Sequence, residues 1–250
     1  MFFIHGKENL FVNFNGILLF EYKRFFTKLM NPETDFSIRP FLGGYDKNFT
    51  YLITCSQTKY NILVDAACSM NQIIPFISNP PIALLITHTH SDHISYLNEY
   101  ITFFPKMKVF GHSKASTIFN IQNFKIIRHQ QSFKLGSLLF TSIYTPGHYF
   151  DSICYLLKPA LFTGDTLFVG RTGRVKGSKS DVKELYNSIY KRLLILSNDT
   201  RIYPGHDYGN QPSIKIKHNI KISPLLRAKN LKDFIEKMNQ YELSRTLDKL

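Results

Sequence analysis

The sequence predicts a layered sandwich of the α/β class, and three features of the 250-residue chain support this prediction. Apolar runs of strand length fall into two blocks along the chain. Segments with helical spacing accompany each block, which is the pattern of sheets covered by helices. Polar clusters follow several strands, at the positions where α/β folds build their sites. A hydrophobic content of 44% is sufficient for a substantial core.

The first block combines strands with two short helical segments. The run IALLIT (82–87) is continuously apolar, as in a strand buried on both faces. Helices are predicted for MNQIIPFI (70–77) and for SDHISYLNEYITFF (91–104), the latter with Ser91 or Asp92 as its N-cap. The other predicted strands of this block are FTYLITC (49–55), YNILVDAAC (60–68), KVFGH (108–112) and FKIIRH (124–129).

The second block repeats the pattern with longer helices. Its predicted strands are SLLFTSIYTPGH (137–148), SICYLL (152–157), ALFTGDTLF (160–168) and the start of TRIYPGHDYG (200–209). Amphipathic spacing predicts one helix over 178–196 and another over 223–243. Two blocks of strands with their helices indicate two layers of sheet and a helical cover.

The net charge and the cysteine content indicate which partners and which redox compartment to expect. The formal charge of +13 would attract anionic substrates, nucleic acid or acidic membranes, unless the lysines merely form a solvated surface. Cys55, Cys68 and Cys154 are scattered and odd in number, which favours reduced core cysteines over a disulfide framework. No apolar run reaches the roughly 18 to 20 residues of a membrane span, so we expect no membrane partner.

Residues 1–30 are predicted to be an extension separate from a domain that spans 31–250 and ends in a short helical tail. The extension is rich in Phe, basic and without clean periodicity. A targeting peptide would make the protein organellar, but Glu8 and Glu21 argue against one because such peptides avoid acids. A long translation start and a packed extension are the alternatives. We therefore expect a cytoplasmic protein.

Four short stretches share a position at the end of a predicted strand and carry five of the nine histidines. They are THTHSDH (87–93), TPGHY (145–149), FTGDTLF (162–168) and YPGHDYG (203–209). Alternate residues of an extended chain point the same way, so His88 and His90 can bind one metal ion. Where the chain turns, Asp92 and His93 can address a second ion.

The remaining members of the four stretches come from other strand ends. His148 and His206 each follow Pro-Gly, which permits a tight turn, and Asp165 could bridge two cations with its two oxygens. This mixture of nitrogen and oxygen donors suits Zn²⁺, Fe²⁺ or Mn²⁺ and does not suit Ca²⁺. We interpret the other four histidines as structural residues: His5, His112, His129 and His218.

At these residues the chain resembles the metallo-β-lactamase superfamily, whose signature is HxHxDH followed by a later His, Asp and His. Within it, GDTLF, GRTGR and YPGHDYG, with DKNFTYL near the start, resemble the branch of glyoxalase II (hydroxyacylglutathione hydrolase) and the persulfide dioxygenases. The resemblance covers about residues 36–240. It implies a four-layer αββα sandwich with the site at one edge.

The resemblance also implies roles for the cluster. His88, His90 and His148 would bind one zinc ion, Asp92, His93 and His206 a second, and Asp165 would bridge the two. In these hydrolases a hydroxide held between the metals attacks a thioester carbonyl, and the Asp92 position helps to orient it. The implied catalytic residues are thus Asp92 and Asp165, and the implied substrate is an anionic glutathione conjugate.

Two further positions follow from the same resemblance. Arg174 lies where the branch places a basic residue near the glutathione carboxylate, although a loop-bracing salt bridge is the alternative role. Tyr208 matches an aromatic residue near the thiol pocket.

Departures from the hydrolase pattern keep a second activity open. Only 44 residues follow His206, whereas classical glyoxalase II has a long helical C-terminal domain. The ending SPLLRAKNLKDFIEKM resembles the compact tail of persulfide dioxygenases, which use one Fe²⁺ in a 2-His-1-carboxylate site. A nuclease of the same superfamily is a third candidate, but the sequence SDH differs from the GDH of the tRNA-processing group. We therefore expect a thioester hydrolase, with the dioxygenase as the alternative and nucleic acid as a disfavoured partner.

Overall fold

The computed structural model describes residues 35–117, 119 and 121–247. The predicted extension, residues 1–30, lies outside this part of the chain, so the predicted boundary between the extension and the domain stays a prediction.

Among the described residues, the first sheet contains six strands, whose spatial order is their order along the chain. The first three strands pair antiparallel, and the next three join in parallel. Parallel neighbours need crossover connections, and α1 (Met70–Ile73) and α2 (Leu97–Phe103) lie in two of them. The strands are β1 (Phe36–Gly43), β2 (Asn48–Cys55), β3 (Asn61–Val64), β4 (Pro81–Leu85), β5 (Lys108–His112) and β6 (Phe124–Ile127).

The second sheet contains the other six strands of the described part of the chain, in the spatial order β12-β11-β10-β9-β8-β7. Its pairings are antiparallel except for β10 with β11. The strands are β7 (Ser132–Leu135), β8 (Leu138–Tyr144), β9 (Ile153–Leu157), β10 (Ala160–Gly164), β11 (Arg201–Pro204) and β12 (Ile214–Lys215). The helices of this half are α3 (Val182–Ser188), α4 (Ile216–Ile222) and α5 (Leu231–Leu247).

Three clusters of buried side chains define four layers. Between the sheets, residues such as Tyr51 from β2 pack against Phe162 from β10, with ring centroids 5.3 Å apart. A second cluster packs α1 and α2, through residues such as Tyr100, on the outer face of the first sheet. A third packs α3, α4 and α5 on the outer face of the second sheet, with Phe234 fully buried. The predicted αββα sandwich is confirmed.

The helix predicted over 91–104 begins later than its spacing suggested. Ser91–His93 forms a 3₁₀ turn, and the helix proper starts at Leu97. The intervening segment is tied to the chain just after β3, because Ala66 N donates to His93 O (2.8 Å) and Tyr96 N donates to Ala66 O (2.9 Å). These bonds compete with a continuous helix, and Ser91 and Asp92 therefore do not cap α2.

Four elements of the described residues were absent from the prediction: β1, β7, β12 and α4. The helix α4 lies in a basic segment without clear apolar spacing, and its buried Asn219 accounts for its position. The Asn219 amide donates to Phe168 O (2.8 Å), and its carbonyl accepts from Gly170 N (2.7 Å). The C-terminal helix predicted from Ser223 starts at Leu231, where the Asn230 side chain accepts from Asp233 N (3.0 Å).

Across the described ranges, every helix is too short or too polar to cross a bilayer.

Candidate metal centre

Strand ends from both sheets meet at one edge of the sandwich and deliver the seven predicted ligands. The segment after β4 carries four of them, and the loops after β8, β10 and β11 carry His148, Asp165 and His206. Ile153 N donates to Thr87 O (2.8 Å), which joins the two sheets beside the site. Three overlapping groups of ligand atoms result, and within each group all the atoms lie within 4.8 Å of one another.

The three-histidine group consists of His88, His90 and His148. His90 Nδ1 lies 3.0 Å from His88 Nε2 and 3.0 Å from His148 Nε2. His88 is almost completely buried, and the side chain of His148 is 11% exposed. The sequence predicted that His88 and His90 point the same way, and their adjacent nitrogen atoms have this arrangement.

The mixed group consists of Asp92, His93 and His206. His93 Nε2 lies 3.2 Å from His206 Nε2, and His206 Nε2 lies 3.3 Å from Asp92 Oδ2. His93 is fully buried because the 3₁₀ turn carries it under the loop, whereas the Asp92 side chain stays 14% exposed. The turn thus directs the second half of THTHSDH away from the first half.

Asp165 lies between the two groups. Its Oδ1 is 3.1 Å from His93 Nε2, and its Oδ2 is 3.2 Å from His206 Nε2 and 3.5 Å from His148 Nε2. Asp165 Oδ1 is buried and lacks a hydrogen bond of good geometry among the described residues. A buried oxygen without a donor is costly, so its position fits a cation that it would ligate.

The outward nitrogens of three histidines are anchored to acceptors. His148 Nδ1 donates to Arg174 O (2.8 Å), His206 Nδ1 to Asp46 O (2.7 Å) and His93 Nδ1 to an Asp65 carboxylate oxygen (2.8 Å). An acceptor at Nδ1 keeps the proton there and leaves the Nε2 lone pair to face the cluster. This is the usual support of metal-bound imidazoles, and the donor set fits a divalent cation such as Zn²⁺, Fe²⁺ or Mn²⁺.

The histidines of the three-histidine group and those of the mixed group have pKa values shifted in opposite directions. Burial lowers the pKa of His88 and His148 and, together with the neighbouring His148, lowers the pKa of His90 to about 4. These imidazoles are neutral at pH 7 and ready to act as ligands.

The mixed group behaves in the opposite way. Burial alone would lower the pKa of His93 and His206, but nearby carboxylates outweigh it. Asp165 and Asp65 raise the pKa of His93 well above its usual value, and Asp165 and Asp92 raise the pKa of His206 to about 9. Without a metal, protons on these rings balance the carboxylates.

Glycine at two motif positions permits the close approach of the loops. Gly164 adopts a φ of +47°, and a Cβ there would lie 2.5 Å from Thr87 Oγ1. A Cβ on Gly205 would lie 2.4 Å from Asp165 Oδ1 and 2.6 Å from His93 Cε1. The glycines of GD and PGH therefore provide the space in which Asp165 and His93 meet.

The two predicted substrate residues lie on either side of the cluster. Tyr208 stacks on His206, with ring centroids 4.7 Å apart, and its hydroxyl donates to Asp46. Arg174 forms a salt bridge with Glu242 of α5, with 2.9 Å between Nη2 and Oε2. This is the bracing contact that the sequence left open as an alternative.

Three supporting residues were missed by the sequence analysis. Asp65 accepts from Thr87 N and from His93, Asn48 Nδ2 donates to Asp92 Oδ2 (2.8 Å), and Asp151 Oδ2 accepts from Thr89 Oγ1 (2.7 Å). The signals available for them were slight: Asp65 follows the apolar run of β3, and Asp151 stands three residues after His148.

The histidines predicted to be structural take no part in the metal-ligand groups of the described residues. His112 stacks on Tyr144 with ring centroids 3.9 Å apart, and His129 Nδ1 accepts from Tyr144 N (3.2 Å). His5 lies outside the described residues.

Comparisons with known proteins agree with this geometry. The sequence model described as the metallo-beta-lactamase superfamily matches residues 95–206. Two probable hydroxyacylglutathione hydrolases of Schizosaccharomyces pombe are similar to the chain. The first is 35% identical over 176 residues, 66% of this chain and 66% of the relative. The second is 30% identical over 181 residues, 68% of this chain and 67% of the relative.

A bacterial relative and a solved structure extend the comparison. A probable polyketide biosynthesis zinc-dependent hydrolase of Bacillus velezensis, BaeB, is 28% identical over 198 residues, covering 77% of this chain and 88% of its own. The crystal structure of ETHE1 from Myxococcus xanthus aligns with a TM-score of 0.73 and 29% identity, covering 81% of this chain and 89% of ETHE1. With its two sheets, its histidine and aspartate cluster and these relatives, the chain belongs to the metallo-beta-lactamase superfamily.

Proposed function

We propose that this protein is a metal-dependent hydrolase that cleaves a glutathione-type thioester. The observation that carries the proposal is the position of Asp165 between two groups of nitrogen and oxygen donors. The names of the S. pombe relatives supply the substrate class, and BaeB supplies the precedent for zinc. The proposed metal ligands are His88, His90, Asp92, His93, His148, Asp165 and His206.

Bound cations would supply Lewis-acid chemistry, which polarises a carbonyl group and lowers the pKa of a coordinated water. The side chains of the protein hold and orient the reactants around them. The contacts of Asp92 with Asn48, His93 and His206 all use Oδ2. We assign to Oδ1 the task of accepting a hydrogen bond from the attacking water and orienting it toward the thioester carbonyl.

The anchored imidazoles keep the geometry of the site fixed during the reaction. His93, His148 and His206 each have their outer nitrogen bound to an acceptor, so their rings cannot rotate away. Preorganised groups of this kind spare the reaction the cost of reorganisation. The Tyr208 ring, stacked on His206, would form one wall of the thiol pocket.

A mononuclear iron persulfide dioxygenase is the second candidate, and the similarity to ETHE1, a persulfide dioxygenase, favours it. Two histidines and one carboxylate of the same cluster would hold the iron, as in other oxygenases with this ligand set. The seven side chains alone do not distinguish one ion from two.

Metal content combined with an activity panel tests the two candidates. Protein made without added metal is analysed for metal, then assayed with S-lactoylglutathione for thioester cleavage and with glutathione persulfide for oxygen uptake. Two ions per chain with thioester cleavage support the hydrolase. One iron per chain with oxygen uptake and no thioester cleavage would reject it.

The cytoplasm remains our expected compartment. Cys55, Cys68 and Cys154 are free and buried, which is consistent with a reducing environment.

A further inference from the structure

The cation that resemblance assigns to the substrate carboxylate is already engaged within the chain. Arg174 Nε lies 3.0 Å and Arg174 Nη2 lies 2.9 Å from Glu242 Oε2. Lys176 Nζ shares the same carboxylate oxygen at 3.7 Å. The helix α5 thus supplies a carboxylate to both basic residues of the loop. A substrate carboxylate at Arg174 would have to displace Glu242, so another cation is better suited to receive it.

On another side of the cluster, an aromatic ring covers the three-histidine group. Tyr149 follows His148 directly, and its ring centroid lies 3.9 Å from that of His90 and 6.0 Å from that of His88. The residue is half-buried, and its hydroxyl accepts a hydrogen bond from the exposed Lys179. Tyr149 therefore borders the three-histidine group on this side.

A lysine lies at the outer end of this ring. Lys179 Nζ is 3.3 Å from Tyr149 Oη and 5.3 Å from the centroid of the Phe150 ring. The loop that carries Lys179 is held against the TPGHY turn, because Asp181 N donates to Gly147 O (2.8 Å). The position of the ammonium is thus tied to the loop that presents His148.

The Lys179 ammonium interacts electrostatically with the buried Asp151 carboxylate but does not form an ion pair with it. The Lys179 side chain is exposed, and no carboxylate oxygen of residues 35–117, 119 and 121–247 lies within 4.0 Å of its ammonium. An ammonium has three donors, and Tyr149 occupies one of them. Donors remain for an anion at the mouth of the site.

We propose that Lys179 and Tyr149 form the anion-recognition element of the active site, which binds a carboxylate on the thiol portion of the substrate. The length of the tyrosine ring separates the ammonium from His90. A carboxylate bound there is therefore distant from the reacting carbonyl, so it belongs to the thiol carrier and not to the acyl carbon next to the thioester. This inference rests on the proposed function as a thioester hydrolase, and it specifies the part of the substrate that the protein recognises.

The test compares two thioesters of the same acyl group in the metal-loaded enzyme. S-lactoylglutathione carries carboxylates on its thiol portion, and the lactoyl thioester of N-acetylcysteamine is neutral. Replacing Lys179→Met should raise KM for the glutathione thioester about 5- to 10-fold, as expected for one exposed charge-assisted hydrogen bond. We expect kcat to change less than twofold, and the neutral thioester to be unaffected.

Two further variants control for other causes. Tyr149→Phe keeps the ring on His90 and removes the hydroxyl, so KM for the glutathione thioester should rise in the same direction by a smaller factor. Lys183→Met removes an equal charge from an exposed position on α3 and should leave both values of KM unchanged. An equal rise in KM for both thioesters with Lys179→Met, or no rise, would overturn the inference.

Calorimetric titration of the metal-loaded proteins with glutathione provides a readout that does not need turnover. Weaker glutathione binding by Lys179→Met than by Lys183→Met, at equal metal content, supports the anion site even if the wild-type protein cleaves no thioester. Absence of thioester cleavage together with this binding difference would reject the hydrolase and keep the anion site. Thioester cleavage by wild type with unchanged KM and glutathione affinity in Lys179→Met would reject the anion site alone.

Discussion

Replacement of Asp65 by asparagine tests whether the orientation of His93 depends on a carboxylate outside the metal ligands. Asp65 is buried and accepts three hydrogen bonds. Thr87 N donates to Oδ1 (2.8 Å), and both Thr87 Oγ1 (2.8 Å) and His93 Nδ1 (2.8 Å) donate to Oδ2. Every neighbour is a donor in this arrangement, so the side chain must be an acceptor on both oxygens.

Asparagine has the same shape but offers only one acceptor. If the amide nitrogen of the new asparagine faces Thr87 N, two hydrogen-bond donors face each other. If the amide nitrogen faces His93 instead, the imidazole must accept a hydrogen bond at Nδ1 and therefore carries its proton on Nε2. The proton would then occupy the lone pair that faces the metal. Losing such a supporting contact weakens metal binding about 10- to 100-fold. That factor corresponds to roughly 1.4 to 2.7 kcal/mol of binding free energy.

Asp151→Asn is the matched control, because Asp151 is equally buried and accepts from Thr89 N (3.3 Å) and Thr89 Oγ1 (2.7 Å). Both variants should lower the unfolding free energy of the metal-free protein by about 1 to 3 kcal/mol, measured by urea denaturation. Competition with a chromogenic chelator should show the larger loss of metal affinity in Asp65→Asn alone. Equal losses in the two variants, or none in Asp65→Asn, would refute the tautomer argument.

Three other outcomes follow from the cluster. Asp165→Ala should abolish both activity and metal retention, because Asp165 contacts members of both groups; wild-type turnover in this variant would contradict the site assignment. Gly205→Ala should sharply reduce metal content, because its Cβ would lie 2.4 Å from Asp165 Oδ1, and metal analysis after gel filtration measures this. The metal-free protein should lose thermal stability as pH rises from about 6.5 to 9. The pKa of His206 is raised to about 9 in the fold, so the stability it contributes is complete below its unfolded pKa near 6.5 and is lost above the folded value. A melting temperature that rises over this interval would contradict that sign.

The part of the site that could be predicted from the sequence is the part determined by local geometry. His88 and His90 alternate along an extended segment, and the direction of their side chains follows from that spacing alone. The Pro-Gly pairs before His148 and His206 predicted tight turns with a close approach of the backbone, which is also a local property of the sequence. The four-layer architecture followed from the order of strands and helices, together with the resemblance that these motifs carry.

The features that the sequence did not predict depend on contacts between residues far apart in sequence. Asp65 lies 28 residues from His93, and Asn48 lies 44 residues from Asp92, so no spacing rule connects them. Arg174 and Glu242 are separated by 68 residues, and their salt bridge depends on how α5 packs. The start of α2 was misplaced for a similar reason, because backbone bonds to Ala66 interrupt the helical pattern.

The charge distribution of the cluster bears on the choice between one ion and two. At neutral pH the three-histidine group is neutral, since burial lowers the pKa of its members, and an ion can bind there without displacing protons. The mixed group carries protons, because Asp165 and neighbouring carboxylates raise the pKa of His93 and His206. An ion entering the mixed group must therefore release about two protons, and its affinity rises with pH more steeply than that of the first ion. Asp165 lies between the two groups, and we expect occupancy of the mixed group to rise with pH. Metal content should therefore be measured at more than one pH when the hydrolase and the dioxygenase are compared.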